Sequence, residues 1–243
     1  MAPVGIPVGA DEQMPGWTFT TDADPRGACV VVPDIYGPNP FYAEITRRLA
    51  VAGFTATLVD YFFREGPLPE TTREAAFARR AELDEQRAVR DLAAAVDHLG
   101  AGAPRSGLVG FCLAGQLALD LCATRRDLAT VCFYPFPEGV TGRVRVPAPR
   151  PVDLAAEITG PILAFWGTQD YIPLPVIDRF AAAMREAGTD YTQHLYDGAG
   201  HSFLQGLVED RADSLAAHDA WTRTVAFLAT ALDPTTTHPK GTP

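Results

Sequence analysis

Short, continuous apolar runs alternate with amphipathic stretches along this chain, and no other feature restricts its fold as strongly. ACVVVP (28–33) is β-branched throughout and reads as a buried strand, and 41–53 reads as a helix closed by Gly53. FTATLV (54–59) is the next strand. Val89, Leu92, Val96 and Leu99 then place an apolar stripe on a helix that also carries an Arg87–Asp91 pair at i,i+4 spacing. GLVGF (107–111) reads as a strand and LAGQLALDLCA (113–123) as a helix. TVCFY (130–134), PILAFW (161–166) and YTQHLY (191–196) supply three more strands, separated by a Pro-rich loop and by a helix ending near Gly188, and a last helix covers 214–232. Strands apolar along their whole length are buried on both faces, which predicts an α/β fold: a mostly parallel central sheet flanked by helices on both faces. The chain has 243 residues, 47% of them apolar, enough to bury one large core. Residues 1–232 are expected to form a single domain, and 233–243 (DPTTTHPKGTP), which lacks large apolar residues, a disordered tail.

Composition narrows the function. The formal charge is −10 and no lysine- and arginine-rich cluster accompanies a recognition motif, so nucleic acid is not an expected partner. No apolar run approaches the roughly 18 residues of a membrane span, and the N-terminus lacks the basic, apolar and small-residue segments of a secretory signal. A cytoplasmic protein is expected. Four cysteines (29, 112, 122 and 132) without a C-x-x-C pair predict reduced thiols rather than a disulfide framework. The histidines show no ligand spacing, and Gly100-Ala101-Gly102 follows a helix instead of a strand, so neither a metal nor a cofactor is expected. An acidic chain gives no long-range attraction to an anion, so an acidic substrate would need local arginines.

In a parallel sheet, reactive groups gather where loops converge at the carboxyl ends of the strands. Three such ends carry chemistry here. Gly110-Phe111-Cys112-Leu113-Ala114 fits the small-x-nucleophile-x-small pattern of a nucleophile elbow, with Gly110 and Ala114 giving the backbone room to turn. The helix that follows points its N-terminal amides at the thiol, which favours thiolate. AFWGTQDYIP brings Asp170, and LYDGAGHSF brings His201 in a glycine-rich loop. A lone buried cysteine is usually core filling, a lone aspartate a turn or cap residue. Nucleophile, acid and histidine in that chain order, at consecutive strand ends, instead point to a triad arranged as in α/β-hydrolases.

These residues also carry a family likeness. In PDIYGPNPF (33–41), LVDYFFREGP (58–67), GLVGFCLAG (107–115), GTQDYIP (167–173) and GAGHSF (198–203), the chain resembles the dienelactone hydrolases, or carboxymethylenebutenolidases, from about residue 28 to 232. Cysteine at the elbow is the most specific of these echoes. The resemblance implies the α/β-hydrolase fold, Cys112, Asp170 and His201 as the triad, and the backbone amides of Ile35 and Leu113 as an oxyanion hole. It also marks two departures. Asp34 stands where the family places a glutamate that holds or activates the thiol, and is one methylene shorter. Of two arginines that grip the substrate carboxylate, Arg73, four residues before Phe77, matches one, whereas Gln205 stands at the other, which removes a charge-assisted bond.

The expected reaction is attack by Cys112 on an ester or lactone, with His201 taking the thiol proton and Asp170 orienting the imidazole. Thiolate chemistry selects activated substrates. A tetrahedral adduct of an alkyl ester expels thiolate faster than alkoxide, whereas an enol ester or enol lactone leaves as a stabilised enolate. Tyr36, Phe62, Phe63, Phe111 and Phe203 suggest an apolar pocket for a small ring. Two other readings remain open: the same site used for an elimination, cyclisation or isomerisation, and a catalytically silent binding module. The partner expected is a small-molecule ester or lactone, and the protein a monomer or homodimer.

Overall fold

The computed structural model describes residues 1–21, 24–101, 103 and 105–233. The expected tail therefore lies outside the described residues apart from Asp233. The described residues contain eight strands, β1 Ala2–Pro7, β2 Gln13–Phe19, β3 Ala28–Val32, β4 Thr55–Val59, β5 Ser106–Phe111, β6 Leu128–Phe133, β7 Ile162–Gly167 and β8 Tyr191–Tyr196. They form one sheet in the order β1-β2-β4-β3-β5-β6-β7-β8. From β4 through β3 to β8 every pairing is parallel; β3 to β7 carry the continuous apolar runs of a buried parallel sheet, and β8, YTQHLY, is its half-exposed edge.

The hairpin β1–β2, antiparallel to itself and to β4, extends the parallel sheet at one end and is not foreseen from sequence. Its strands bury little beyond Ile6 and Met14; Pro3 and Pro7 lie on the edge strand β1, and Pro15 sits in β2 just before its pairing with β4 begins at Gly16. Glu12 in its turn accepts ion pairs from Arg64, at 2.8 Å, and from Arg87, while Arg64 also holds Asp91. The helical Arg87–Asp91 pair expected from spacing is thus replaced by partners from other elements, because Asp91 is buried and faces Arg64 rather than its own helix surface.

Among the described residues six α-helices cover the sheet: α1 Pro40–Val51, α2 Arg73–Arg80, α3 Glu85–Leu99, α4 Leu113–Cys122, α5 Leu174–Glu186 and α6 Ser214–Ala231. α1 starts with Pro40 after an Asn39 cap that accepts the Phe41 and Tyr42 amides at 2.9 and 3.3 Å. α2 shows no apolar stripe to a reader of sequence, since among its residues only Ala76 and Arg80 are buried. α4 is buried along its whole length, at the centre of the molecule.

The chain moves outward from β3 to β4, then crosses back to place β5 on the other side of β3. The order of strands reverses there, and such switch points open a crevice at the carboxyl edge of the sheet. The loops after β3 and β5, which carry Asp34-Ile35 and Cys112-Leu113, flank that crevice.

Candidate active site

The elbow follows from steric demands. Cys112 adopts φ 57 and ψ −120, a conformation L-residues rarely take, between the last residue of β5 and the first of α4. A Cβ on Gly110 would lie 2.5 Å from the Ala114 carbonyl oxygen, and one on Gly115 would lie 2.9 Å from the Pro135 Cβ. Only glycine fits at either place. Among the described non-glycine residues, positive φ occurs at Cys112, Tyr134 and Ser202, the last two in contact with or adjacent to His201.

His201 arrives from the loop after β8, where it meets the end of β7. A Cβ on Gly167 would come 2.0 Å from the Ala199 carbonyl oxygen, so the two loops touch through backbone. The imidazole Nδ1 lies 2.9 Å from both Oδ1 and Oδ2 of Asp170, whose side chain is fully buried. Oδ1 of Asp170 also accepts the Ile172 amide at 3.1 Å. Nε2 of His201 is buried and has no hydrogen-bond partner among the described residues. His201 and Cys112 line one cavity of about 650 Å³.

The thiol itself differs from expectation. Burial, reinforced by the negative charge of Asp34, pushes the Cys112 thiol well above its ordinary range. The amides of Leu113 and Ile35 pull the other way, so both lie close enough to the sulfur to favour its charged form. Desolvation outweighs them, so the surroundings oppose the thiolate that the helix N-terminus alone favours.

The loop after β3 is equally constrained. Asp34 closes a turn with its carbonyl oxygen accepting the Gly37 amide at 3.0 Å, and the Tyr61 hydroxyl donates to the same oxygen at 3.3 Å. These bonds orient the peptide whose other end is the Ile35 N–H. Arg79, lying over the Phe62 ring, donates to the Ile35 carbonyl at 2.9 Å. The Asp34 carboxylate accepts the Tyr36 amide at 2.9 Å, and burial raises its affinity for protons.

Of the expected binding residues, Tyr36, Arg73 and Phe77 line the cavity, and the Arg73 guanidinium lies over the Phe77 ring at 5.4 Å. Phe203 and Gln205 do not. Residues 203–207 form a short 3-10 helix that buries Phe203 between Tyr134 and Tyr196, and Gln205 is turned toward Arg211, which donates to it at 2.7 Å. Phe62, Phe63 and Phe111 also lie away from the cavity: Arg79 and Arg64 cover the first two, and Phe111 stacks on Phe133. The apolar wall comes instead from Phe136, Val140, Tyr171, Ile172 and Val176. The signal that could have found Tyr171 is its place directly after Asp170; Phe136 sits in YPFPEG, at the end of β6. Among the described residues no group of three or more His, Cys, Asp or Glu side chains could hold a metal ion, and no helix is long and apolar enough to cross a membrane.

A switch-point crevice with an elbow after β5, an acid after β7 and a histidine after β8 defines the class of the α/β-hydrolases. The comparisons narrow it further: the model of the dienelactone hydrolase family matches residues 14–232, and the chain belongs to that family. It is a hydrolase of that family. The chain is 37% identical over 210 residues to the carboxymethylenebutenolidase of Rhodococcus opacus, covering 86% of this chain and 83% of the relative. It is 36% identical over 184 residues to carboxymethylenebutenolidase 2 of Cupriavidus pinatubonensis, covering 73% and 74%. Among solved structures, the "Putative Dienelactone Hydrolase" of Klebsiella pneumoniae superposes with a TM-score of 0.84 at 25% identity, over 94% of this chain and 97% of that one.

Proposed function

We propose that this protein opens small activated esters or lactones through a Cys112–His201–Asp170 triad and a thioester acyl-enzyme. The observation that carries the reading is the imidazole clamped at Nδ1 by both oxygens of Asp170, with a buried, unpartnered Nε2 in the same cavity as Cys112. The relatives named carboxymethylenebutenolidase support the substrate class.

The thiol must lose its proton to react. Its free partner is Nε2 of His201, and Asp170 stabilises the imidazolium that results. Sulfur then bonds to the carbonyl carbon, and the oxygen takes the charge at the Ile35 and Leu113 amides, donors of a kind worth about 3 kcal/mol each in comparable sites. The carbon–oxygen bond breaks and the departing enolate takes the proton from His201. Water, giving a proton back to His201, hydrolyses the thioester and restores the thiol. Arg73 serves as the cation for a substrate carboxylate, with Tyr36 and Phe77 beside it, and Asp34 keeps the thiol protonated until substrate arrives. The four cysteines, all free, support a reducing and therefore cytoplasmic setting.

Acid-quenched intact-mass measurement with an enol acetate should show one acetyl adduct, mapped to Cys112 and absent from Cys112→Ala. Full turnover by Cys112→Ala, with no adduct on the wild type, would overturn the reading.

A further inference from the structure

The wall beside His201 comes from two segments that the triad chemistry does not use. Phe136 and Val140 belong to the long loop after β6, Tyr171 and Ile172 to the turn before α5, and Val176 to the first turn of α5. Tyr171 lies over the imidazole with centroids 4.3 Å apart, Phe136 lies 5.6 Å from it, and the two rings touch each other at 6.0 Å. Tyr171 is nonetheless 60% exposed, so a large ring is presented to open space next to the catalytic base.

The part of this wall on the loop after β6 is fastened from behind. Arg80, 1% exposed, donates to Oε1 of Glu85 at 3.1 and 2.8 Å, to the Val140 carbonyl at 3.0 Å and to the Thr141 carbonyl at 3.3 Å. Oε2 of Glu85 accepts the Ala148 amide at 3.0 Å, and Gln116 accepts the Val140 amide at 3.1 Å. A buried ion pair hydrogen-bonded on all sides to one loop fixes that loop before a ligand arrives, which lowers the cost of binding. The cavity of about 650 Å³ falls among those that enclose drug-sized ligands, and a bare lactone ring would leave most of it empty.

The proton determines which part of the substrate meets this wall. His201 returns its proton to the departing oxygen, so the leaving group passes beside the imidazole, while the carbonyl oxygen stays with the Ile35 and Leu113 amides on the β3–β5 side. We infer that the Phe136–Tyr171 wall is a leaving-group subsite for a large, flat, apolar group. The preferred substrates are then esters or lactones whose departing enol or phenol belongs to an aromatic or similarly extended ring system. This rests on the ester and lactone reading above. The bond changes are the same: the thioester forms, the carbon–oxygen bond breaks, and the aryl or enol oxygen takes the His201 proton.

The test uses two acetates whose alcohols have similar acidity, 2-naphthyl acetate and hexafluoroisopropyl acetate. Both give the same acetyl-enzyme, so kcat/KM compares the acylation step alone. The wild type should favour the naphthyl ester by about 10-fold or more, as burial of an aromatic ring predicts. Tyr171→Ala and Phe136→Ala should each bring the ratio toward one. In a second arm free of turnover, 2-naphthol should slow alkylation of Cys112 by iodoacetamide in the wild type but not in Tyr171→Ala. A wild-type ratio at or below one, or a ratio unchanged in both variants, overturns the subsite. If neither ester is turned over, the ester reading fails; protection by 2-naphthol that Tyr171→Ala abolishes would still uphold the subsite, and no protection would overturn it.

Discussion

The elbow after β5 and the wall after β6 border the same cavity, yet they are built in opposite ways. At the elbow, backbone presses on backbone: Gly110 and Gly115 leave no room for a Cβ, and Cys112 is forced to a positive φ by its immediate neighbours. At the wall, residues 136–148 have no sheet or α-helix of their own and are fastened by side chains of α2, α3 and α4, chiefly Arg80, Glu85 and Gln116. Local sterics place the Cys112 sulfur, and distant polar groups shape the wall opposite it. Chemistry and specificity are therefore separable, and substitutions in the two regions should fail differently.

The sharpest break is at the elbow. Cys112→Ala should keep the fold and lose at least about 10³-fold in kcat, because a triad acts as a unit and its nucleophile has no substitute. Circular dichroism alongside enol acetate turnover checks both halves of that statement. A variant that unfolds would place the thiol in the core rather than the reaction.

The wall should break in stability instead. Arg80→Met leaves Glu85 buried without its cation, a loss of about 3–5 kcal/mol in such pairs. Arg80→Met/Glu85→Gln removes both charges and should recover most of it in urea unfolding. If the double variant is as unstable as the single, the guanidinium's bonds to the Val140 and Thr141 carbonyls matter more than its pairing with Glu85.

The same contrast explains what could be read in advance. The parallel strands β3 to β7, the Asp170–His201 contact and the cavity shared by Cys112 and His201 were legible because they depend on local patterns: an apolar run, a small-x-Cys-x-small turn, an acid and a histidine in glycine-rich loops after strands. Phe203 shows where such reading stops. It is adjacent to the His201 loop in sequence, but a single 3-10 turn rotates it into the core, and spacing alone does not reveal that rotation. Arg80 shows the reverse. An arginine in RRAEL reads as a solvated charge, yet it is buried with an acid five residues away and a loop some sixty residues away. The hairpin β1–β2 was hidden for a third reason, since its strands bury few residues and carry three prolines, which read as loop in a sequence.

Asp120 tests how far the polar support behind the wall extends. It is buried on α4, neither carboxylate oxygen has a partner, and burial together with the charge of Glu85 raises its pKa to about 8. The unfolded value is about 3.9. The folded state therefore binds a proton that the unfolded state has lost, so this contribution to stability is full below about pH 4 and is lost as pH rises toward 8, at up to about 1.4 kcal/mol per pH unit. Thermal unfolding of the wild type should weaken from pH 5 to 8, and Asp120→Asn should flatten that slope. Equal slopes in the two proteins would show that Asp120 is solvated in solution.

The smallest effect returns to the elbow and concerns the thiol at rest. Burial is the larger influence raising the pKa of Cys112, and the charge of Asp34 is the next. Removing that charge should lower the thiol's pKa without exposing it. Asp34→Asn preserves the amide acceptor for the Tyr36 N–H, so the turn that carries Ile35 keeps its geometry. Iodoacetamide should therefore alkylate Cys112 several-fold faster in Asp34→Asn than in the wild type at pH 7, and the two rates should converge as pH rises and both thiols ionise. An acceleration independent of pH would mean that the substitution opens the site, and a slower reaction that the aspartate withdraws the proton instead of retaining it. Read with the turnover of Cys112→Ala, the rate profile separates a nucleophile masked by its surroundings from one that is merely inaccessible.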